Sequence, residues 1–165
     1  MNTNWKSVSK KKFISRKDLF NKIAELKQSG QTIATTNGAF DLLHSGHLQI
    51  IYEASRQADI LIVALNSDLS IKKYKHTSRP IMPLEHRLEI VSALEFVSFV
   101  TPFDETTPIA LLEIIQPHVH INGREYGENC IEADIVKKYG GRIHVVDIIP
   151  GLSTSKIIDK IKVCV

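Results

Sequence analysis

Short apolar runs alternate along this chain with longer segments whose apolar residues recur at helical spacing. The run at residues 59–65, DILIVAL, is almost continuously apolar, which is typical of a strand buried on both faces of a parallel sheet. Four more segments fit strands by length and pattern. The five predicted strands are 31–36, 59–65, 96–100, 119–121 and 142–146.

Helical patterns separate these strands. One follows residue 47, and the others cover 83–94, 108–115, 132–139 and 153–161. Parallel strands need crossover connections long enough to hold a helix. We therefore predict an α/β fold: a Rossmann-like, doubly wound, mostly parallel five-stranded sheet flanked by helices. An extra N-terminal helix is predicted at 15–29, with Ser15 as its cap.

Composition limits the class of protein. The chain has 165 residues, 43% of them hydrophobic, which fits one domain over 1–165. Its longest apolar run is far shorter than the ~20 residues of a membrane helix, so we expect no membrane partner. The two cysteines, Cys130 and Cys164, are too far apart in sequence for a CxxC pair, which favours a reducing cytoplasm.

The charge is mildly basic, at +3. Part of it lies in lysines near the start, so we predict a flexible basic tail at 1–12, followed by the added helix at 15–29 and the core at 31–161. A nucleic-acid interface would need a basic face with interleaved aromatic residues. Only 7% of the residues are aromatic, so we expect no nucleic-acid partner.

Ligands of doubly wound sheets bind at the carboxyl ends of the strands, so the residues after each strand are the candidates. After the first strand, His44 and His47 enter a helix three residues apart and share one face. The free N–H groups of a helix start suit a phosphate. Gly38 and Gly46 permit close approach of the backbone to a ligand.

Other interpretations of the two histidines are a zinc pair or packing in the core. A zinc pair lacks the glutamate of an HExxH motif and a third nearby ligand. The chain also has neither GxGxxG after the first strand nor GxxxxGK[ST] anywhere, which disfavours dinucleotide and P-loop sites.

Two further clusters follow later strands. A lysine-rich loop carries Lys72 and Lys75, with Arg87 beyond it, and fixed cations of this kind stabilise phosphate charge, although such loops are often only solvated surface. The stretch GLSTSKII at 151–158 puts three hydroxyl side chains at the start of the last helix, where an ordinary N-cap is the alternative.

These motifs together resemble a known superfamily, the nucleotidyltransferases with an H-x-G-H motif and a later S-T-[ST]-x-I helix start. Here the two motifs are HSGH at 44–47 and STSKI at 153–157. Within the superfamily the chain is most similar to the D-glycero-β-D-manno-heptose 1-phosphate adenylyltransferases. That likeness rests on NGAFDLLH at 37–44, NSD at 66–68, SRP at 78–80 and PLEHR at 83–87.

The resemblance implies roles by position. His44 and His47 are expected to bind the nucleotide phosphates and stabilise the transition state, with Lys72, Lys75 and Arg87 as the accompanying cations. Asp41 is expected to orient a substrate hydroxyl or a neighbouring loop, and Thr154 and Ser155 to hold the terminal phosphates. The complete set of expected nucleotide-binding residues is Thr36, Asn37, Gly38, Phe40, Asp41, Gly46, Asn122, Gly123, Arg124, Ser153, Thr154 and Ser155.

The implied reaction transfers AMP from ATP to a heptose 1-phosphate, giving ADP-heptose and pyrophosphate for lipopolysaccharide precursors. Mg²⁺ is the expected cofactor, and a homodimer is the expected assembly. The heptose enzymes have a lysine-glycine pair where this chain reads Asn122-Gly123, so Arg124 is the predicted substitute cation. The chain is too short to include the kinase domain often fused to such enzymes, so a separate kinase is expected.

Two alternatives stay open. One is transfer of CMP or AMP to another phosphorylated alcohol, such as glycerol 3-phosphate. The other is a non-catalytic nucleotide-binding module with a degenerate site, which the missing lysine favours.

Overall fold

A five-stranded sheet forms the centre of the computed structural model, which describes residues 5–76, 78–147, 149, 151 and 153–164. Every pairing in the sheet is parallel, and the strand order is β3-β2-β1-β4-β5. This arrangement confirms the predicted Rossmann-like α/β fold. The strands are β1 (Ile33–Gly38), β2 (Ile60–Asn66), β3 (Phe99–Phe103), β4 (Val119–Gly123) and β5 (Arg142–Val146).

Helices cover both faces of the sheet, because each strand of a parallel sheet must return to the same edge through a crossover. Residues of α3 and α5 pack on one face, and residues of α2 and α6 pack on the other. The helices are α1 (Trp5–Lys12), α2 (Leu19–Gln28), α3 (Ser45–Ser55), α4 (Asp68–Tyr74), α5 (Leu84–Ser92), α6 (Ile109–Ile115), α7 (Ala133–Lys138) and α8 (Thr154–Cys164).

The two packed faces explain the apolar run of β2. Leu61, Val63 and Leu65 lie in the core against α3 and α5, whereas Ile62 and Ala64 lie in the core against α2 and α6. All five are at most 2% exposed. A strand buried on both sides cannot alternate between apolar and polar residues, so its sequence reads as one continuous apolar segment.

The segment 1–12 differs from the predicted flexible tail. Residues 5–12 form α1, and residues 1–4 lie outside the described residues. Lys12 Nζ donates a hydrogen bond to Leu94 O at 2.8 Å, and Ile14 N donates to Val100 O at 2.9 Å. These contacts hold α1 against the β3 edge of the sheet. The basic pattern of the segment gave no indication of them.

Three other local predictions need correction. The helix predicted at 15–29 begins at Leu19, because the Ser15 hydroxyl accepts a hydrogen bond from Asp18 N and so caps the preceding turn. The lysine-rich loop is in fact largely helical, as α4. Ser67 caps α4 by accepting from Ser70 N at 3.1 Å. The third strand also begins three residues later than predicted, since Val97 N closes a turn with Leu94 O.

The sheet opens where its strand order reverses. Strand β1 pairs with β2 along its whole length, but in the described structure its register with β4 covers only Ala34–Val119 and Thr35–His120. The carboxyl ends of β1 and β4 therefore separate and leave a crevice, as expected at the switch point of a doubly wound sheet. No helix within the described residues is both long and apolar enough to cross a membrane.

Candidate active site

A cleft of about 410 Å³ lies at this crevice. It brings together many of the residues predicted from the sequence, from β1, from the loop after it, from the end of α4, from β4 and from the start of α8. The predicted residues that line the cleft are Thr36, Asn37, Gly38, Phe40, Asp41, His47, Lys75, Asn122, Gly123 and Thr154.

The two histidines form a stacked pair in which His47 lines the cleft, whereas His44, like Gly46, lies outside its lining. The rings of His44 and His47 lie 3.8 Å apart between centroids, at an angle of 22°. His44 precedes the first turn of α3 with extended backbone, and Gly46 is buried within that turn. Because His47 lines the cleft, the pair lies beside the free N–H groups at the start of an 11-residue helix.

Both imidazoles are neutral near pH 7. Burial, together with the neighbouring His44 and Lys75, lowers the pKa of His47 to about 4, and burial also lowers the pKa of His44. A neutral imidazole has one N–H donor and one acceptor nitrogen. His44 Nδ1 is buried and has no hydrogen-bond partner among the described residues. The pair can thus offer directed donors to a phosphate oxygen.

Phe40 supports the histidine wall. Its φ of 46° is in the left-handed region, which folds the ring back over Gly38. A Cβ at Gly38 would lie 3.2 Å from the ring, so any larger residue there would require the ring to shift by a few tenths of an ångström. The same ring meets His47 edge-on at 5.3 Å. Phe40 is 6% exposed, and its main contacts hold the imidazole rather than reach a ligand.

Asp41 holds a neighbouring loop. Its carboxylate accepts hydrogen bonds from Arg79 Nε at 2.6 Å and from the backbone N–H groups of Ile81 and Met82 at 2.8 Å. Burial alone would raise the pKa of Asp41, but these N–H groups and the guanidinium lower it on balance. Of the two roles expected for Asp41, the contacts match the orientation of a loop.

Arg87 is not a free cation, and the structure corrects that prediction. It is fully buried, and its guanidinium donates to Met82 O, Ala39 O, Asn66 O and Asp68 Oδ1 at 2.6 to 2.9 Å. Four hydrogen bonds occupy nearly all of the five donors of an arginine. Arg87 therefore ties together the loops that follow β1 and β2, and it does not line the cleft.

Lys72 in α4 and Lys75 just after it also differ in their position relative to the cleft. Lys75 follows the helix and lines the cleft, and burial lowers its pKa, with a further contribution from Arg79. Lys72 is exposed and lies outside the cleft lining, contrary to its predicted role. The difference arises because Lys75 lies just beyond the end of α4 with extended backbone, so the rule that helical residues three apart share a face does not apply to it.

Arg124 also lies outside the cleft, so it is not the predicted substitute cation. Its side chain is 74% exposed and forms an ion pair with Asp147, with Nε and Oδ1 2.5 Å apart. Asn122, at the position of the expected lysine, is buried and donates from Nδ2 to Glu132 Oε2 at 3.3 Å. Gly123 allows the Glu125 carboxylate to lie directly above it.

The three hydroxyl residues at the start of α8 differ in their contacts. Ser153 caps the helix, since its hydroxyl accepts from Lys156 N at 3.2 Å. Thr154 lines the cleft, and its hydroxyl reaches Leu42 O at 3.4 Å, beside the histidine wall. Ser155 is exposed and lies outside the cleft lining.

Several cleft residues were missed by the sequence argument. Those with polar or aromatic side chains are Tyr74, Thr106, Thr107, Glu125, Tyr126 and Glu132, whereas Asn66, which also lines the cleft, belongs to the NSD motif at 66–68. Thr106 and Thr107 follow β3 after two residues, so they too lie near the carboxyl end of a strand. Tyr74 ends a helix that was interpreted as a loop. Glu132 lies nine residues beyond β4, where local spacing gives no signal.

The described residues contain no group of three or more histidines, cysteines or carboxylates that could hold a metal ion. Mg²⁺ needs no such cage, because it is usually bound by one or two carboxylates together with substrate phosphates. The exposed Glu125 carboxylate at the cleft can add one ligand of this kind. The residues present therefore fit Mg²⁺ that arrives with a nucleotide.

Comparison with known protein families agrees with this geometry. The model of the cytidylyltransferase-like family matches residues 35–161, which include most of β1, both histidines and most of α8. The chain belongs to this family. It is a member of the nucleotidyltransferase superfamily.

The curated relatives are longer proteins. The bifunctional protein HldE of Syntrophotalea carbinolica is 40% identical over 82% of this chain and 28% of its own length. That of Alcanivorax borkumensis is 41% identical over 90% of this chain and 32% of its own length. The chain thus spans under a third of these relatives.

Among solved structures, the lipopolysaccharide core biosynthesis protein from Thermoplasma volcanium GSS1 superposes with a TM-score of 0.59 and 24% identity. The match covers 73% of this chain and 98% of that chain. At this identity the similarity supports the fold alone.

Proposed function

We propose that the protein transfers AMP from ATP to a heptose 1-phosphate, releasing pyrophosphate and giving ADP-heptose for lipopolysaccharide precursors. The observation that carries this proposal is the stacked, neutral pair of His44 and His47 at the switch-point cleft. The substrate assignment draws on the similarity to HldE proteins and on the motifs around β1 and β2.

In this reaction an oxygen of the sugar phosphate attacks the α-phosphorus of ATP in line, and the pyrophosphate oxygen leaves. The attacking oxygen is already ionised, so the protein needs no general base. Catalysis then depends on position and on stabilisation of charge at the reacting phosphate. The imidazole N–H groups of His44 and His47, and the N–H groups at the start of α3, are the donors available for that charge.

The remaining phosphates are expected between Lys75 and the start of α8. Lys75 supplies a positive charge at the cleft, and Thr154 adds a hydroxyl from the start of α8. Mg²⁺ bound with the nucleotide supplies further neutralisation of the phosphate oxygens. Cytoplasmic location and a homodimer belong to the same proposal, and light scattering on the purified protein tests the second.

A non-catalytic nucleotide-binding module is the second candidate. It is favoured by the lack of a cation after β4, where Asn122 bonds to Glu132 and Arg124 pairs with Asp147 outside the cleft. This candidate predicts that ATP binds without turnover. Transfer to another phosphorylated alcohol, or from CTP, remains the enzymatic alternative.

The test is pyrophosphate release with Mg²⁺ in a grid of ATP and CTP against heptose 1-phosphate, glycerol 3-phosphate and other sugar 1-phosphates. We expect turnover with ATP and heptose 1-phosphate above all other pairs. Faster turnover with CTP or with glycerol 3-phosphate contradicts the substrate assignment. ATP binding by calorimetry without turnover of any pair supports the non-catalytic module instead.

A further inference from the structure

The wall of the cleft formed by β4 and the segment after it carries a carboxylate that the reaction above does not use. Glu132 is only 6% exposed, yet it lines the cleft. A carboxylate is almost never buried to this extent unless hydrogen-bond donors satisfy it. The identity of its donors therefore indicates what else it can bind.

The protein supplies Glu132 with neutral donors. Asn122 Nδ2 donates to Glu132 Oε2 at 3.3 Å. The Cys130 thiol is the second donor: burial, followed by its hydrogen bond with the Glu132 side chain and the charge of Glu132, raises the pKa of the thiol. Burial lowers the pKa of the nearby His120, which keeps that imidazole neutral. No ion pair of Glu132 with lysine or arginine occurs within the described residues.

A carboxylate has about four acceptor positions, and these two donors leave some of them open toward the cleft. A second acceptor at the crevice is in the same condition: Asn37 Oδ1, at the end of β1, is buried without a partner among the residues the structure covers. The part of the cleft next to Glu132 and Asn37 therefore needs a ligand that donates hydrogen bonds. Phosphate oxygens are acceptors, so the phosphates cannot occupy it.

We propose that Glu132 is a specificity-determining residue that accepts a hydrogen bond from a sugar hydroxyl, and that Asn122 is the residue that positions it. This inference rests on the proposed function, whose substrates carry hydroxyl groups on the ribose of ATP and on the acceptor sugar. Both sources have the same chemistry. Glu132 thus occupies, on the β4 side, a place where the related enzymes are expected to have a nearby lysine.

The experiment compares Glu132→Gln with Glu128→Gln in the pyrophosphate assay. Glu128 is an exposed glutamate of the same segment that lies outside the cleft lining. Hydrogen bonds to charged groups are worth enough to change affinity about tenfold or more. We expect Glu132→Gln to raise KM for one substrate by about this factor with kcat little changed, and Glu128→Gln to match the wild type.

Substrates that lack one hydroxyl identify the source of the hydrogen bond. The wild type is assayed with 2′-deoxy-ATP, 3′-deoxy-ATP and deoxy sugar 1-phosphates. We expect one of these to lose about tenfold or more in kcat/KM, and Glu132→Gln to lose the discrimination against that same compound. Asn122→Ala should lose it as well, whereas a purely structural role of Asn122 would affect both substrates equally.

Other results overturn the inference. It fails if Glu132→Gln behaves like Glu128→Gln, if no deoxy compound is discriminated, or if higher Mg²⁺ restores the variant, since Glu132 would then be a metal ligand. If the wild type turns over no substrate pair, the proposed function fails, and the contact of Glu132 with a sugar hydroxyl is tested by calorimetry instead. Weaker binding of ATP or of a sugar 1-phosphate to Glu132→Gln supports it, and equal or absent binding contradicts it.

Discussion

The two walls of the cleft differ in the charges they present. The wall of β1 and α3 carries two stacked imidazoles, with Lys75 beside them and the N–H groups of a helix start. The wall of β4 carries Asn122 and the carboxylates of Glu125 and Glu132. The first wall offers donors and positive charge, and the second offers acceptors. In the proposed reaction this difference orients the substrates, with phosphates toward α3 and hydroxyl groups toward β4.

Two arginines illustrate how burial decides the role of a charge. Both Arg87 and Arg124 follow strands and were predicted to meet the nucleotide, but Arg87 is fully buried and Arg124 has a side chain that is 74% exposed. The hydrogen bonds of Arg87 go to oxygen atoms of the protein itself, and Arg124 pairs with Asp147 at the surface. Neither lines the cleft, so Lys75 carries the positive charge there.

The largest effect is expected from Arg87→Ala, which tests whether the α3 wall depends on the loops behind it. Removal leaves Asp68 unpaired and three backbone carbonyls without their donor. Each buried acceptor left without its donor costs about 1 to 3 kcal/mol, so the three carbonyls together cost about 3 kcal/mol or more, whereas Asp68, which is 38% exposed, regains water. Urea denaturation should show a loss of this size in the free energy of unfolding. A loss below about 1 kcal/mol would mean that Arg87 is not the connection described here.

His47→Asn tests the directed donor of the α3 wall, because the shorter amide keeps an N–H but cannot place it where the imidazole nitrogen lies. Removal of one donor from the site of a developing oxyanion typically lowers kcat about 100- to 1,000-fold. We expect pyrophosphate release to fall by that factor while calorimetry still detects ATP binding. The matched control is His86→Asn, because His86 is exposed and outside the cleft. Equal activity of the two variants would contradict the role of His47.

The pH dependence of the free energy of unfolding, measured for the same variant, tests the low pKa of His47. An unfolded histidine titrates near pH 6.5, but burial and the neighbouring His44 and Lys75 lower the pKa of His47 to about 4 in the folded protein. Between these pH values the unfolded chain binds more protons, so stability falls as pH decreases. The free energy of unfolding of His47→Asn should fall less than that of the wild type, by about 1 to 3 kcal/mol between pH 7 and pH 4. Parallel curves would contradict the low pKa.

Lys75→Ala and Lys72→Ala distinguish the cleft from the adjacent surface. Both lysines are exposed, but Lys75 lines the cleft and Lys72 lies outside its lining. One charge-assisted hydrogen bond to a phosphate is worth about tenfold in affinity. Calorimetry with ATP should therefore show a loss of about tenfold for Lys75→Ala and little change for Lys72→Ala. The reverse order would mean that α4 turns its other side to the nucleotide.

The smallest effect is expected from Arg124→Ala. An exposed ion pair contributes about 0 to 1 kcal/mol, and this one lies outside the cleft. Both the free energy of unfolding and kcat/KM should stay close to those of the wild type. A loss of kcat/KM of tenfold or more would restore Arg124 as the substitute cation for the missing lysine.

The sequence predicted the sheet well, because buried parallel strands such as β2 have a distinct apolar pattern. It also predicted the residues of the α3 wall, since His44 and His47 are close in sequence as well as in space. It missed α1, whose lysines resemble a solvated tail, and α4. The directions of the Arg87 and Arg124 side chains depend on distant partners, which no local pattern includes.

The most direct test of the central claim measures kcat and both KM values for His47→Asn and Glu132→Gln side by side. If the two walls divide the work as proposed, His47→Asn loses kcat with the KM values nearly unchanged. Glu132→Gln then raises the KM of one hydroxyl-bearing substrate with kcat nearly unchanged. If both variants lose the same parameter by similar factors, the division between a phosphate wall and a hydroxyl wall is wrong.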